Sequence, residues 1–205
     1  MRIEHRPGMA NELMRELAPI LAEDGIDIDN LEFDSMEDFQ AAMNRAVERH
    51  NMERFTPVGP ARDKALAALR EVAQALAAGD TQRAGEILDA VPPDAPAGEL
   101  TVAACMGAGL DLLDTWLSGS HPDTPPGLAV RTRLPRGHWE GGRAAKDVLA
   151  LAAKGRAFGS LDSLTARHGG KSLLYGVALA ISATLQTWAL LTDEPVDALA
   201  EKHLR

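Results

Sequence analysis

Apolar residues recur along this chain at helical spacing, and one stretch carries them on nearly every face. Between Lys171 and Asp193, residues 172–192 contain no Asp, Glu, Lys or Arg. Leu174, Val177, Ile181, Leu185 and Trp188 form one row; the small residues Gly176, Ala180, Ala183 and Thr187 form another. A helix that is apolar all round is stable in water only when other helices surround it. The expected fold is therefore all-α: a multi-helix domain, orthogonal or bundle-like, built around a buried C-terminal helix at 172–192. About 20 apolar residues would also cross a bilayer. Ser182, Thr184, Gln186 and Thr187 within the stretch, and the lack of a second such stretch, favour the soluble core helix. No membrane partner is expected.

The rest of the pattern predicts shorter amphipathic helices. Leu13, Leu17, Ile20 and Leu21 share one side of a helix over 10–23, which Pro19 should kink and Gly25 should cap. The alternating stretch IDIDNLEF follows as an extended connector. Ser35-Met36-Glu37-Asp38 approximates a capping box and opens a helix through Phe55, striped by Met36, Phe39, Met43, Ala46, Val47 and His50. The breaker TPVGP at 56–60 ends it. Residues 1–58 thus read as an acidic N-terminal arm of two helices, and 59–205 as the main domain.

Within the main domain the predicted helices fall into two sets. The first comprises 61–78, 81–91 and 99–117; the second comprises 142–154, a short helix ending at 167, and 172–192. Gly79 aligns with Gly155, Thr115-Trp116 with Thr187-Trp188, and Glu71-Val72 with Asp147-Val148. An internal duplication of a three-helix unit places residues in this way, and predicts a pseudo-twofold axis between the two apolar helices. The phrase LAAGDTQRAGEILDAV resembles the turn and second helix of tetratricopeptide-type repeats. The remainder of the roughly 34-residue period is missing, so this resemblance assigns no family. Between the two sets, 118–142 is expected to be a long irregular loop rich in Pro, Gly and Arg, with 128–134 as a short extended piece. Loops of such length in a compact domain are usually either functional or disordered.

Charge sharpens the picture. The net charge is −9. Residues 1–60 carry 13 acids against 6 bases, and 121–205 carry 8 against 11. An acidic chain is poorly suited to neutralising phosphates, so no nucleic-acid partner is expected. Cys105 is the sole cysteine, which excludes an intrachain disulfide and a cysteine zinc site. Its setting, TVAACMGAGL, suits a small buried hydrophobe. The opening MRIEHRPGMANELM lacks the apolar run of a secretory signal, and a cytoplasmic location is the default expectation.

No complete catalytic motif is present, so catalytic residues are unknown and no cofactor is expected. The histidines at 5, 50, 121, 138, 168 and 203 never fall three or four apart. No metal site is therefore expected, since one would have to be assembled from distant segments. Thr165-Ala-Arg-His-Gly-Gly-Lys-Ser172 ends like a phosphate loop, but Thr165 stands where that loop needs its first glycine. The physics of the corner survives. Arg167, His168, Gly170, Lys171 and Ser172 put open backbone N–H groups and cations at a helix start, where an anion can sit. The plainer reading is a two-glycine stop followed by Ser172 as N-cap. Arg131, Arg133, Arg136, His138 and Arg143 form a second basic cluster. If their loop folds back over the start of 172–192, the clusters merge and Trp139 covers an anionic or aromatic ligand. Asp111 and Asp114 share a helix face and are the acid candidates, either paired with the basic corner or lining a solvated edge. The expected function is non-enzymatic, through protein–protein contact or self-association using the N-terminal helices. The alternative is a site for a small anionic molecule, binding or enzymatic, at the Arg/His/Lys corner.

Overall fold

The computed structural model describes residues 57–96, 98–135, 137 and 139–205, together with positions 15, 18, 19, 21, 22, 37, 38, 40–43, 45, 46 and 55. The chain divides into two compact units, 1–54 and 55–205. In the first, the described positions are helical; Pro19 lies within the first predicted helix, and Leu21, Ala42 and Ala46 are buried. Leu13, Leu17, Ile20, Gly25, the 26–33 connector, Ser35, Met36, Phe39, Val47 and His50 lie outside the described residues.

The second unit is all helical among its described residues. It comprises α1 (Pro60–Ala77), α2 (Thr81–Asp89), α3 (Val102–Leu117), α4 (Leu128–Arg131), α5 (Gly142–Ala152), a 3-10 turn (Phe158–Ser160), α6 (Leu161–His168), α7 (Gly170–Thr192) and α8 (Val196–His203). Polar caps open two of them. The Asp80 carboxylate accepts the Arg83 N–H at 2.9 Å, and the Thr101 hydroxyl accepts the Ala104 N–H at 3.0 Å, satisfying donors that a helix start leaves open.

The expected hub is α7. Leu174, Val177, Ile181, Leu185 and Trp188 are all buried, sheathed by α1, α3, α4, α5, α6 and α8. Of the described helices, α7 alone has the length and apolarity to cross a bilayer, and 72% of its most apolar stretch is buried within the protein. Its polar side chains are satisfied locally. Thr184 donates to the Ala180 carbonyl at 2.7 Å and Thr187 to the Ala183 carbonyl at 2.8 Å, the back-bonding that lets a hydroxyl sit inside a helix bundle.

The small-residue row of α7 has a specific use. Gly176 presses against α5: a Cβ there would lie 2.6 Å from the Ala144 Cβ and 2.8 Å from the Ala145 nitrogen. From the other side, Gly141 (φ 71°) has no room for a side chain against the Gly176 nitrogen and the Ser172 carbonyl. The chain before α5 thus runs in backbone contact with the start of α7.

Two boundaries differ from expectation. The hub helix starts at Gly170, with Gly169 (φ 77°, ψ 152°) closing α6 and opening α7; Ser172 lies inside the first turn and is not the N-cap. A single glycine turns the chain between two helices, so no capping hydroxyl is needed. Residues 128–131 form a helical turn, not an extended piece, because Leu128 is drawn into the core, 1% exposed.

Both halves run longer helix, short helix, long apolar helix, and the rings of Trp116 (α3) and Trp188 (α7) meet edge to face at 5.9 Å and 89°. The aligned turns at Gly79 and Gly155 share one closing pattern: Asp80 N–H to Ala75 O at 2.9 Å, and Arg156 N–H to Leu151 O at 3.1 Å. Ser120 N–H to Thr115 O repeats it at Gly119, outside the aligned pairs. The pattern is the general glycine stop of a helix and does not by itself mark a repeat.

Candidate functional site

At the corner where α6 meets α7, each cation has a carboxylate. Arg167 Nη1 and His168 Nε2 both lie 3.0 Å from the same oxygen, Oδ2 of Asp147 on α5. The His168 contact first, and then Arg167, hold the Asp147 carboxyl below its ordinary range, against the burial that raises it. Lys171 Nζ lies 2.8 Å from Asp89 Oδ1 at the end of α2. That contact lowers Asp89 and raises Lys171. Gly170 and Ser172 flank Lys171 on the first turn of α7, and the hollow beside Gly170 and Lys171, about 420 Å³, is walled mainly by Leu88, Val91, Val102, Met106 and Leu174.

The second basic cluster does not join this corner through Arg131 or Arg133. Arg133 Nη1 donates to the carbonyls of Val130 at 2.6 Å and Thr132 at 2.8 Å, while Arg131 is exposed beside Gly127. Arg136 and His138 lie outside the described residues. The part of the loop that lies against the start of α7 is Trp139, Glu140 and Gly141. After the Asp89 carboxylate, and for Tyr175 after burial as well, the Glu140 carboxylate adds the last push that raises Lys171 and Tyr175. A negative charge arrives where the anion reading wanted positive ones.

Under Trp139 a cleft of about 400 Å³ opens between α2 and α7. Its walls are Leu76, Ala84, Leu88, Tyr175, Ala178 and Leu179, and Glu140 is the charged residue of its lining. The Tyr175 hydroxyl donates to the Gly85 carbonyl at 3.3 Å, and the Lys171 ammonium lies 5.6 Å from the Tyr175 ring centroid. Burial, followed by the Asp89 carboxylate, pushes Tyr175 up to about 12, so the hydroxyl is neutral and serves as a donor. Apolar walls, two aromatic rings and one carboxylate suit an apolar group carrying a positive charge.

Asp111 and Asp114 are not opposite the basic corner. Asp111 Oδ2 faces Arg62 of α1 at 3.4 Å. Asp114 accepts the backbone N–H groups of Ala157 at 2.8 Å and Phe158 at 2.9 Å, capping the 3-10 turn. Burial raises the Asp114 carboxyl even so, outweighing the two N–H bonds that lower it. Both acids act in holding helices together.

Sequence reasoning missed Asp89, Asp147, Glu140 and Tyr175. Glu140 carried a signal: it adjoins Trp139 in the loop already singled out. Asp89 and Asp147 carried none, because a lone Asp on a helix face shows its partner only after folding. Compared with protein families, curated proteins and solved structures, the chain gives no match.

Proposed function

We propose that the protein acts without catalysis, as a helical binding module, and that the cleft under Trp139 receives an apolar or aromatic side chain of a protein partner with a positive charge beside it. One observation carries this reading: an apolar cleft with two aromatic rings borders a corner where Arg167, His168 and Lys171 are each matched by a carboxylate. Aromatic side chains in such pockets dominate protein recognition, and Glu140 supplies the polar contact that selects among them. A second copy of the chain is the other occupant in view. Leu190, 87% exposed beside the hollow formed by Ala189, Pro195 and Val196, supplies an apolar surface for self-association. A soluble, cytoplasmic role accompanies this reading.

A small anion at the corner is the second reading. It is favoured by the exposure of Arg167 and Lys171, 67% and 63% of their side chains, at the start of a 23-residue helix. An anion there has to displace Asp147 or Asp89.

Peptide display on the full chain tests both. Enrichment of an aromatic or large aliphatic residue next to Lys or Arg, lost in Thr81→Arg, which blocks the cleft, and inverted toward acidic neighbours in Glu140→Lys, supports the cleft. Absence of enrichment, or binding indifferent to both variants, overturns it. A thermal shift with phosphate, nucleotides or acyl carboxylates that Arg167→Ala/Lys171→Ala removes would move the function to the corner. Sedimentation velocity across a concentration series separates self-association from a foreign partner.

A further inference from the structure

His121 and Asp123 lie in the turn after α3, and His203 closes the last turn of α8. One ligand atom from each lies within 4.8 Å of the other two. The His121 and His203 ring centroids are 5.2 Å apart, Trp188 tilts by 34° against His203 at 4.4 Å, and Trp116 meets it edge-on at 6.2 Å. These indoles fix the His203 ring without using its nitrogens. His203 is 9% exposed, and its Nε2 is buried with no hydrogen-bond partner. Among the described residues the other buried side-chain atom in that condition is Thr124 Oγ1, adjacent to Asp123. Buried polar atoms are otherwise almost always bonded, and both exceptions fall in or next to this group of three.

We propose that His121, Asp123 and His203 bind a borderline divalent transition metal, zinc foremost, with water completing the coordination. Two imidazoles and a carboxylate are the donor set of an open zinc site. A tetrahedral ion with bonds of about 2.0–2.1 Å holds its ligand atoms roughly 3.4 Å apart, so closure from within 4.8 Å asks at most about 1.4 Å of movement, from exposed Asp123 and partly buried His121. His203 is the preset ligand. Its ring is held by Trp188 and Trp116, and its buried Nε2 has no other partner to give up. His121 Nδ1 accepts an exposed 3.2 Å bond from the Asp123 N–H, and ligation exchanges that contact for the metal bond. Lys202 Nζ, 3.0 Å from Asp123 Oδ2, occupies the carboxylate and is the cation the metal displaces.

The test is titration of the chelator-stripped full chain with Zn²⁺ by calorimetry and with Co²⁺ by visible absorption. The expected result is one equivalent per chain, intense four-coordinate Co²⁺ bands, and quenching of Trp fluorescence by Ni²⁺ through Trp188. His203 packs against two indoles, so the exposed ligands carry the mutational arm. Asp123→Asn and His121→Ala should each weaken Zn²⁺ by at least the roughly tenfold that loss of an outer-shell partner costs. Lys202→Met should tighten it, a response that metal held on unrelated surface histidines would not give. The His5→Ala/His50→Ala variant should match the parent. Absence of stoichiometric binding, or unchanged affinity in Asp123→Asn and His121→Ala, overturns the site.

Discussion

Gly176→Ala tests the packing on which the domain rests. A Cβ at this position falls 2.6 Å from the Ala144 Cβ, 2.8 Å from the Ala145 nitrogen and 3.0 Å from the Gly141 carbonyl oxygen. Two of the three are backbone atoms and cannot rotate aside. Helix propensity alone favours Ala over Gly in a helix interior by about 1 kcal/mol. Overpacking costs about 1–3 kcal/mol, and a shift of backbone belongs at the upper end. The net is a destabilisation of about 1–2 kcal/mol. Gly170→Ala is the internal control: it lies on the same helix, and its Cβ meets nothing within 4 Å. That variant should gain about 0.4–1 kcal/mol through the unfolded chain. Urea unfolding of the full chain, followed by the fluorescence of buried Trp116 and Trp188, reads both. The midpoints should move in opposite directions at unchanged slope. Two upward shifts of similar size would mean that propensity alone governs position 176, and the backbone contact between α5 and α7 would be refuted.

Three further outcomes follow from individual contacts. Asp114→Ala strips two N–H groups of their acceptor and should cost about 1–2 kcal/mol, lowering Tm by more than Asp111→Ala, whose partly exposed pair with Arg62 is worth under about 1 kcal/mol; equal losses would contradict the capping role. Burial pushes the Cys105 thiol up to about 12, so the native chain should resist a thiol reagent near pH 8 and react once unfolded; fast native labelling would show the thiol to be accessible. Asp147 has a lowered folded pKa relative to its ordinary 3.8, so its pairs with Arg167 and His168 stabilise the fold above that value and cease to do so as pH falls through the folded value. Asp147→Asn should therefore lower stability near neutrality and converge with the parent once the pH falls below the folded value; a gap constant across the acid titration would show that the charge contributes nothing.

The hub was legible because its signal is local. A 21-residue run without charge has few physical fates, and the row Gly176, Ala180, Ala183 and Thr187 already announced a close neighbour. Which neighbour was not legible, since nothing in GGRAAKD says that α5 is the helix to press against Gly176. The Thr184 and Thr187 hydroxyls that argued against a membrane in the sequence turn out to be bonded to α7's own carbonyls, and Ser182 accepts from Gln186 one turn on, devices lipid would also tolerate. Burial by six neighbouring helices is the stronger argument, and only folding supplies it. The cations of the corner are adjacent in the sequence, but the carboxylates that pair with them, Asp147 and Asp89, sit on other helices and change the charge of such a site without leaving a mark nearby. His121 and His203 illustrate the same limit: 82 positions apart in sequence, they meet only because α8 turns back against α1 and α7.

The two candidate sites divide one rod between them. From Ala180 to Leu185 every side chain of α7 is at most 2% exposed, so no ligand reaches its middle, and recognition is confined to the ends. Tyr175 and the cleft mark one end; Trp188, stacked on His203, marks the other. Thirteen residues of helix separate Tyr175 from Trp188, roughly 20 Å at 1.5 Å per residue. Perturbations that far apart, without shared partners, combine additively. A block in the cleft therefore leaves metal affinity unchanged, and loss of Asp123 leaves peptide selection unchanged, unless α7 moves as a unit. A measured coupling between the two would show that it does, and would make the rod itself the element through which metal and partner communicate.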